Sequence, residues 1–380
     1  GDRTRAKIDG RRRSRGRAHW FPRRPWLAPL AEAHGCAQRH EHAAAVDAWA
    51  EVARVGDFEG SLHGLLRTAR ARMEMGDDVD AQYAFARARA MDPLNLDHMD
   101  HYAVLSRRRG GVGDLNRLAR DLVAANRRRP EAWLAVALHA DARGDRDAAL
   151  RFVEKAIALD SRHVLAFRLR GELLLAAGQA EHAIVAYFQA NNYAKDLNSY
   201  RGLVAAYLST RKYKEALCTA KEAVATLPNN AYAVALVGRV LATSPEGTDK
   251  ARRAFQKALA LDAACADAAL ALSDLHLARG DHAEAAACLK RSLGALERDA
   301  LHAKLADVHV QADEIPAALA AYHAALSLNP TCEAALAGLD NVEKMMRGGG
   351  GDDLDDESVG HSGAANSAEL DEALDGSAFL

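Results

Sequence analysis

The stretch Asp97-His98-Met99-Asp100-His101 is the strongest candidate for a metal site in this sequence. His98 and His101 lie one helical turn apart, and imidazole nitrogens are common zinc ligands. A structural zinc site needs about four ligands, whereas this stretch supplies two nitrogens at what we expect to be an exposed helix start. Solvated polar residues are therefore the favoured interpretation, and the sequence predicts neither a bound metal nor a cofactor.

Catalysis needs a nucleophile, a base and an orienting group, or a set of metal ligands, gathered in one pocket. The sequence contains no such combination, no phosphate-binding loop of the Walker type and no GxGxxG motif. Its five cysteines form no CxxC pair, which favours reduced thiols over a disulfide or a zinc site. The sequence therefore predicts a protein that is not an enzyme.

Helical hairpins recur at a fixed spacing along most of the chain. Tyr200, Leu203 and neighbouring apolar residues follow the period of one helix face, which predicts a first helix (helix A). After a polar turn, Ala220 and its neighbours repeat that period on a second helix (helix B), which Pro228 must end because it lacks a backbone N–H. Units of this kind begin near Trp26, Leu62, Leu96, Pro130, Val164, Leu197, Ala231, Ala266 and Asp299, at spacings of 33 to 36 residues.

This spacing is typical of tetratricopeptide (TPR) repeats, whose period is about 34 residues. The sequence predicts an all-α fold, a right-handed TPR superhelix (α-solenoid) of about nine helix-turn-helix repeats plus a C-terminal capping helix. Small residues recur where helix A crosses helix B, because a larger side chain there would overpack the contact by ~1–3 kcal/mol. In the regular repeats these positions include Gly171, Ala183, Ala216, Gly238, Ala251, Ala285, Ala306 and Ala318.

Repeat regularity and charge divide the chain into five parts. The opening carries ten Arg or Lys and the end carries nine acids, and neither shows apolar periodicity, so we expect both to be disordered. A solvated extension is the favoured interpretation of the opening, over nucleic-acid binding or targeting. The predicted parts are an Arg-rich segment (1–25), degenerate repeats (26–129), regular repeats (130–331), a capping helix (332–347) and an acidic tail (348–380).

The two C-terminal parts carry further expectations. In the capping helix, Leu336, Leu339 and Met346 are predicted to face the last repeat and cover its exposed seam. In the acidic tail, Leu370, Leu374 and Phe379-Leu380 could form a short docking motif, although a tail that only adds solubility is the favoured interpretation. No apolar run approaches the ~18 residues of a membrane span, so no membrane partner is predicted.

Stacked A helices line a concave surface that suits protein binding. On the TPR template, positions 2, 5, 9 and 12 of each unit supply its side chains, and the sign of their charge changes along the predicted groove. The arginines predict binding of an acidic or carboxylate-ended peptide, because guanidinium holds carboxylate bidentately, with a merely solvated charge run as the alternative. The predicted partner-binding residues are Arg168, Arg201 and Arg239, followed by Asp274 and Asp307.

Several stretches resemble the family of subunit 7 of the anaphase-promoting complex (cyclosome), over and above the repeat pattern. The similarity is clear from Pro130 to Gly348 and weaker before it, and TPR consensus alone does not require the SPEG turn or the final GLDNVEKMM helix. The stretches are YRGLVAAYLSTRKYKEAL (200–217), LVGRVLATSPEGTDKARRAFQKALALD (236–262), ALHAKLADVHVQADEIPAAL (300–319), YHAALSLNP (322–330) and GLDNVEKMMRG (338–348).

The resemblance implies a non-catalytic scaffold subunit of a cell-cycle ubiquitin ligase, located in the nucleus and cytoplasm. Its implied partners are the other subunits of the complex, especially a sister TPR subunit. The family homodimerises through further amino-terminal repeats, so a homodimer is a possible partner, although this sequence has an arginine-rich segment where those repeats would stand. Sister subunits hold Ile-Arg tails with acidic groove residues, a role that Asp274 or Asp307 could share. The alternative is a TPR adaptor of another assembly, in intraflagellar transport or RNA processing.

Overall fold

The computed structural model describes residues 25–39, 41–56, 58, 60–243 and 247–348, apart from the side chains of 347 and 348. These residues form nineteen α-helices and no β-strand. The predicted Arg-rich segment and acidic tail, apart from Pro25 and Gly348, lie outside them. The helices are α1 (Leu27–Gln38), α2 (His42–Gly56), α3 (Leu62–Met75), α4 (Asp78–Met91), α5 (Met99–Arg108), α6 (Val112–Ala125), α7 (Pro130–Ala142), α8 (Arg146–Leu159), α9 (Val164–Ala176), α10 (Ala180–Tyr193), α11 (Leu197–Ser209), α12 (Tyr213–Thr226), α13 (Ala231–Leu241), α14 (Thr248–Leu261), α15 (Ala266–Leu277), α16 (His282–Leu293), α17 (Asp299–Gln311), α18 (Ile315–Leu328) and α19 (Glu333–Gly348).

The first eighteen helices alternate as the A and B helices of nine hairpins, and the all-α TPR fold predicted from the sequence is confirmed. Most A helices begin at the residue predicted as a unit start, from Pro130 at α7 to Asp299 at α17. Local chemistry fixes these starts: Pro130 occupies the first turn of α7, and the side chain of Asn230 caps α13 by accepting from Ala233 N–H at 3.1 Å.

The third hairpin departs from the prediction, because α5 begins at Met99 rather than near Leu96. Asn95 uses its side chain in a turn with Asp97, and His98 adopts a left-handed backbone with φ 62°. Both features stop the helix from extending backwards to Leu96.

The turn between helix A and helix B repeatedly needs a left-handed residue. Gly144 and Gly280 adopt it with φ of 82°, a conformation that glycine favours because it lacks a Cβ. Arg211 and Asp313 occupy the same turn in other repeats with φ of 58° and 61°, although side chains disfavour that conformation. Packing of the two helices therefore imposes the turn even where the residue type does not signal it.

Close helix crossings explain the small residues. A Cβ on Gly171 would lie 2.7 Å from the ring of Tyr187, and one on Gly238 would lie 2.6 Å from the ring of Phe255. The aromatic ring of helix B thus occupies the space that a side chain of helix A would need. The alanines at the other predicted crossing positions are fully buried: Ala183, Ala216, Ala251, Ala285, Ala306 and Ala318.

The chain divides within α9 into two compact units, Gly1–Arg170 and Gly171–Leu380. The predicted limit at 129/130, where the repeats become regular, is not where the units divide. In the first unit the largest buried side chains include Phe85 and Met99. In the second, apolar clusters follow one another from hairpin to hairpin, and Tyr200, Phe255 and Tyr322 are each buried in a different one.

Helix α19 covers the end of the second unit with a different face from the one predicted. Leu339 packs against the last hairpin as expected, but Leu336 is 49% exposed and Met346 is 63% exposed. The buried partners of Leu339 are instead Ala335 and Val342, which lie on its side of the helix. The small Ala335 lets α19 approach the last hairpin closely, which the larger Leu336 could not do.

Candidate protein-binding groove

The second unit places its A helices side by side. Helices α11, α13, α15 and α17 contact one another in succession, and each also contacts the B helix that follows it. The four predicted groove residues of this unit lie one on each of these A helices. They are Arg201, Arg239, Asp274 and Asp307.

An ion pair links two A helices that are not neighbours in sequence. The guanidinium of Arg201 on α11 donates to the carboxylate of Asp267 on α15, across α13. Arg239 on α13 lies next to this pair and donates from Nη2 to the backbone carbonyl of Arg201 at 3.4 Å. These three side chains therefore tie three successive hairpins together.

A pocket of about 330 Å³ opens beside the ion pair. Arg201, Arg239, Asp267 and Asp274 supply its charged lining, so three of the predicted residues share one site. The volume lies at the lower end for ligand pockets and suits a few side chains of a bound peptide. The remaining lining is apolar: Ala235, Leu236, Phe255, Leu270 and Ala271.

Both arginines of the pocket retain hydrogen-bond donors. The Nε atoms of Arg201 and Arg239 are buried and have no acceptor among the described residues. Burial and the positive charge of Arg201 lower the pKa of Arg239, while Asp267 opposes them. A carboxylate that entered the pocket would meet donors arranged in the planar fork that matches its two oxygens.

The acidic half of the groove is partly compensated by the protein itself. Lys304 Nζ on α17 pairs with Asp274 at 2.6 Å, and the hydroxyl of Tyr322 donates to Asp307 at 2.6 Å. Burial and the charge of Asp307 raise the pKa of Tyr322. Within this part of the groove, the positive excess therefore lies at Arg239 and the negative excess at Asp307.

Arg168 lies in the first unit, on α9. Its positive charge stabilises the carboxylate of Glu74 on α3. Burial would raise the pKa of that carboxyl, but the charges of Arg168 and of nearby basic groups lower it. The structure therefore brings Arg201, Arg239 and Asp274 together in one pocket and gives Arg168 a partner in its own unit.

The stretch from Asp97 to His101 is not the exposed helix start expected from the sequence. Asp100 and His101 are 7% and 9% exposed. Asp100 accepts from His101 Nδ1 at 2.9 Å and faces His163 Nε2 at 3.2 Å, so a residue 63 positions downstream completes the cluster. The prediction was wrong because the turn that carries His163 covers this surface, and a partner so distant in sequence leaves no local signal.

Charge within this cluster is strongly coupled. Burial would raise the pKa of Asp100, but the two imidazoles hold it well below its usual range. Burial lowers the pKa of His163, but the hydrogen bond that its imidazole donates to Asp100 outweighs burial, so the pKa is raised. Burial and His101 lower the pKa of His98 to about 4. Asp100 is thus a buried anion held by hydrogen-bonded imidazoles.

Two negative findings concern the described part of the chain. No set of three or more His, Cys, Asp or Glu side chains there could hold a metal ion. None of the helices in that part has the length and apolar character needed to cross a membrane.

Asp267 is the groove residue that sequence reasoning missed. It is the second residue of the unit that begins at Ala266, and the second position of the TPR template lines the groove, so the signal was present. Its partner Arg201 was found from the same template. The compensation of Asp274 by Lys304, in contrast, depends on side-chain packing between α15 and α17.

Comparison with known proteins gives consistent relatives. No family model matches the chain. It is 37% identical over 323 residues to anaphase-promoting complex subunit 7 of Arabidopsis thaliana, covering 85% of this chain and 57% of that protein. It is 33% identical to subunit 7 of Dictyostelium discoideum, covering 70% and 46%. The chain thus spans about half the length of these curated relatives.

A solved structure supports the fold. The crystal structure of the APC/C hetero-tetramer Cut9-Hcn1 superposes with a TM-score of 0.56 over 78% of this chain and 58% of that one. The sequence identity in that alignment is 19%, so the likeness concerns the helical-hairpin architecture alone.

Proposed function

This chain belongs to the family of anaphase-promoting complex subunit 7, and from that premise we propose that it is a non-catalytic TPR scaffold subunit of this cell-cycle ubiquitin ligase. The observation that carries the proposal is the 37% identity to the Arabidopsis subunit over 85% of the chain. Ubiquitin transfer then falls to other subunits, and this one holds its neighbours in place. Its proposed locations are the nucleus and cytoplasm.

A stack of hairpins suits this task because its binding surfaces form as the repeats fold. The groove of the second unit is built on helices with fully buried crossing positions, so little of it must be ordered when a partner arrives. A sister TPR subunit is the proposed principal partner. Homodimerisation through further amino-terminal repeats, which the resemblance implies for the family, remains outside this proposal.

We infer that the 330 Å³ pocket is one contact point, and that it receives a carboxylate of an acidic or carboxylate-ended peptide. Arg239 offers the uncompensated positive charge, and the buried Nε atoms of Arg201 and Arg239 offer donors. Asp274, which also lines the pocket, and Asp307, further along the groove, are the proposed contacts for a basic residue of the same partner. Asp267 is expected to orient Arg201 through their ion pair.

The scaffold function is tested by affinity purification of the full, tagged chain from dividing cells, followed by mass spectrometry. Other subunits of the anaphase-promoting complex are expected in the eluate. Recovery of intraflagellar-transport or RNA-processing factors in their place would overturn the assignment in favour of a different TPR adaptor.

The pocket is tested in the same purification with Arg239→Glu, which reverses the uncompensated charge. We expect recovery of at least one partner to fall by about tenfold, because a like charge then faces the carboxylate. Arg143→Glu is the control, since this exposed arginine lies in a turn of the first unit. Undiminished recovery of every partner by the Arg239 variant would refute the pocket assignment and leave the scaffold assignment intact.

A further inference from the structure

The outward faces of two B helices in the second unit are strongly basic. Lys250, Arg253 and Lys257 are exposed at i, i+3 and i+7 of α14, and Lys290 and Arg291 are exposed near the end of α16. None of the five pairs with a carboxylate among the described residues. Unpaired cations in such a row attract an acidic ligand.

A groove lined by both apolar and polar side chains lies between these two helices. We call it the outer groove; its volume is about 390 Å³, and α15 contributes Leu272 and His276 to it. It lies among the B helices, apart from the pocket at Arg239. The other lining residues are Gln256, Leu259, Ala260 and Ala263 from α14 and its C-terminal end, and Glu284, Cys288, Arg291 and Ser292 from α16.

The chain itself carries a segment of matching chemistry. Residues 369–375, Glu-Leu-Asp-Glu-Ala-Leu-Asp, place Leu370 and Leu374 at i and i+4 with acids on either side. Such spacing puts two leucines on one side of a helical turn. Two leucines suit the apolar part of the groove, and four acids suit the exposed Lys257, Lys290 and Arg291 on the two helices that flank it.

Reach and tethering favour this segment over a free ligand. Twenty residues, 349–368, separate it from the end of α19 in the same unit, and they can span up to about 65 Å. Helices are about 10 Å in diameter, so α16 lies within that reach of α19. A tether of this length gives an effective concentration on the order of millimolar, which lets a weak contact form.

We propose that residues 369–375 dock in the outer groove of their own chain, with Leu370 and Leu374 in the groove and the acids on the basic residues that flank it. A docked segment covers Lys257 and Arg291 and so competes with any acidic partner for this face. The proposal is independent of the pocket at Arg239.

The test is intramolecular photo-crosslinking in the full chain, with p-benzoylphenylalanine in place of Ala373. Mass spectrometry is expected to find crosslinks to 256–263 or 284–292. The charge-reversal variant Lys257→Glu/Arg291→Glu should lose roughly tenfold in crosslink yield, because two attractive pairs become repulsive. The matched control Lys214→Glu/Lys221→Glu, on the exposed face of α12, should change the yield by less than about twofold.

Three outcomes would overturn the proposal. One is an equal yield in the charge-reversal variant and the wild type, with both shown to be folded by circular dichroism. Another is crosslinking mainly between chains, detected by mixing isotope-labelled and unlabelled protein, which would assign the segment to a second copy. The third is absence of the crosslink together with binding of labelled duplex DNA that depends on Lys257 and Arg291, which would assign the face to nucleic acid.

Discussion

Removing the buried Asp100 carboxylate should destabilise the first unit far more than removing a nearby exposed one. Asp100→Ala leaves His101 and His163 without their acceptor. Losing one partner of a buried ion pair costs about 3–5 kcal/mol, and we expect about 3 kcal/mol because a small residue lets water enter. The isosteric Asp100→Asn keeps some hydrogen bonding and should cost about half as much.

Tryptophan fluorescence during urea unfolding is the assay. All four tryptophans precede Arg170, so their emission reports the first unit alone. With a urea dependence of about 1–3 kcal/mol per molar, a loss of about 3 kcal/mol should lower the unfolding midpoint of Asp100→Ala by roughly 1–3 M. Asp97→Asn is the matched control, because this 68% exposed side chain pairs with Arg129 at the surface and should cost less than about 1 kcal/mol.

The pH dependence of the free energy of unfolding gives a second test of Asp100→Ala. The raised pKa of His163 contributes stability that is fully present below the unfolded value of about 6.5 and is lost as the pH rises through the folded value. Asp100 causes that rise, so its removal should cost more at pH 6 than at pH 8.5. Equal midpoints for Asp100→Ala and Asp97→Asn, or a penalty that grows with pH, would refute the reasoning.

Three further predictions follow from other parts of the chain. Gly238→Val puts a side chain into the space of the Phe255 ring and should destabilise the second unit by about 1–3 kcal/mol. Unfolding is followed by tyrosine fluorescence or circular dichroism, with Gly113→Ala as the control because its added methyl meets nothing within 4 Å. An unchanged unfolding curve for Gly238→Val would contradict the prediction. A double-mutant cycle on Arg201→Ala and Asp267→Ala should give a coupling free energy of unfolding of at most about 1 kcal/mol, because both side chains are 37% exposed. A coupling free energy several times larger would mean that solvent does not screen the ion pair. Maleimide should label the exposed thiol of Cys218 quickly in the native chain. Cys265 should react slowly, because burial shields its thiol and raises its pKa to about 12. Peptide mapping that finds Cys265 labelled first would disprove the prediction.

The helices could be predicted where local chemistry decides them. Pro130 and Asn230 mark helix starts because one lacks a backbone N–H and the other caps, and both act within a single turn. Gly280 signals a left-handed turn by itself, but Arg211 does not, since there the packing of α11 against α12 forces the conformation. The face of α19 was misjudged for a related reason: hydrophobicity favours Leu336, whereas close approach favours Ala335.

The groove was only partly predictable. The TPR template identified Arg201, Arg239 and Asp274 because a fixed set of positions in each repeat points to the same side. It could not show that Asp267, on the A helix of the next repeat but one, neutralises Arg201. The burial of Asp100 was unpredictable for the same reason, since its partner His163 comes from another hairpin. Such pairings are set when the hairpins stack, and a single hairpin's sequence does not contain them.

The ion pair between Arg201 and Asp267 has a mechanical consequence. In a stack whose helices mainly contact their immediate neighbours, bending is the sum of small movements at every interface between hairpins. The ion pair connects the first and third of three successive hairpins, so it restricts movement of the middle hairpin. A bound carboxylate that drew Arg201 away from Asp267 would break this connection. Occupancy of the pocket would therefore make these three hairpins more flexible.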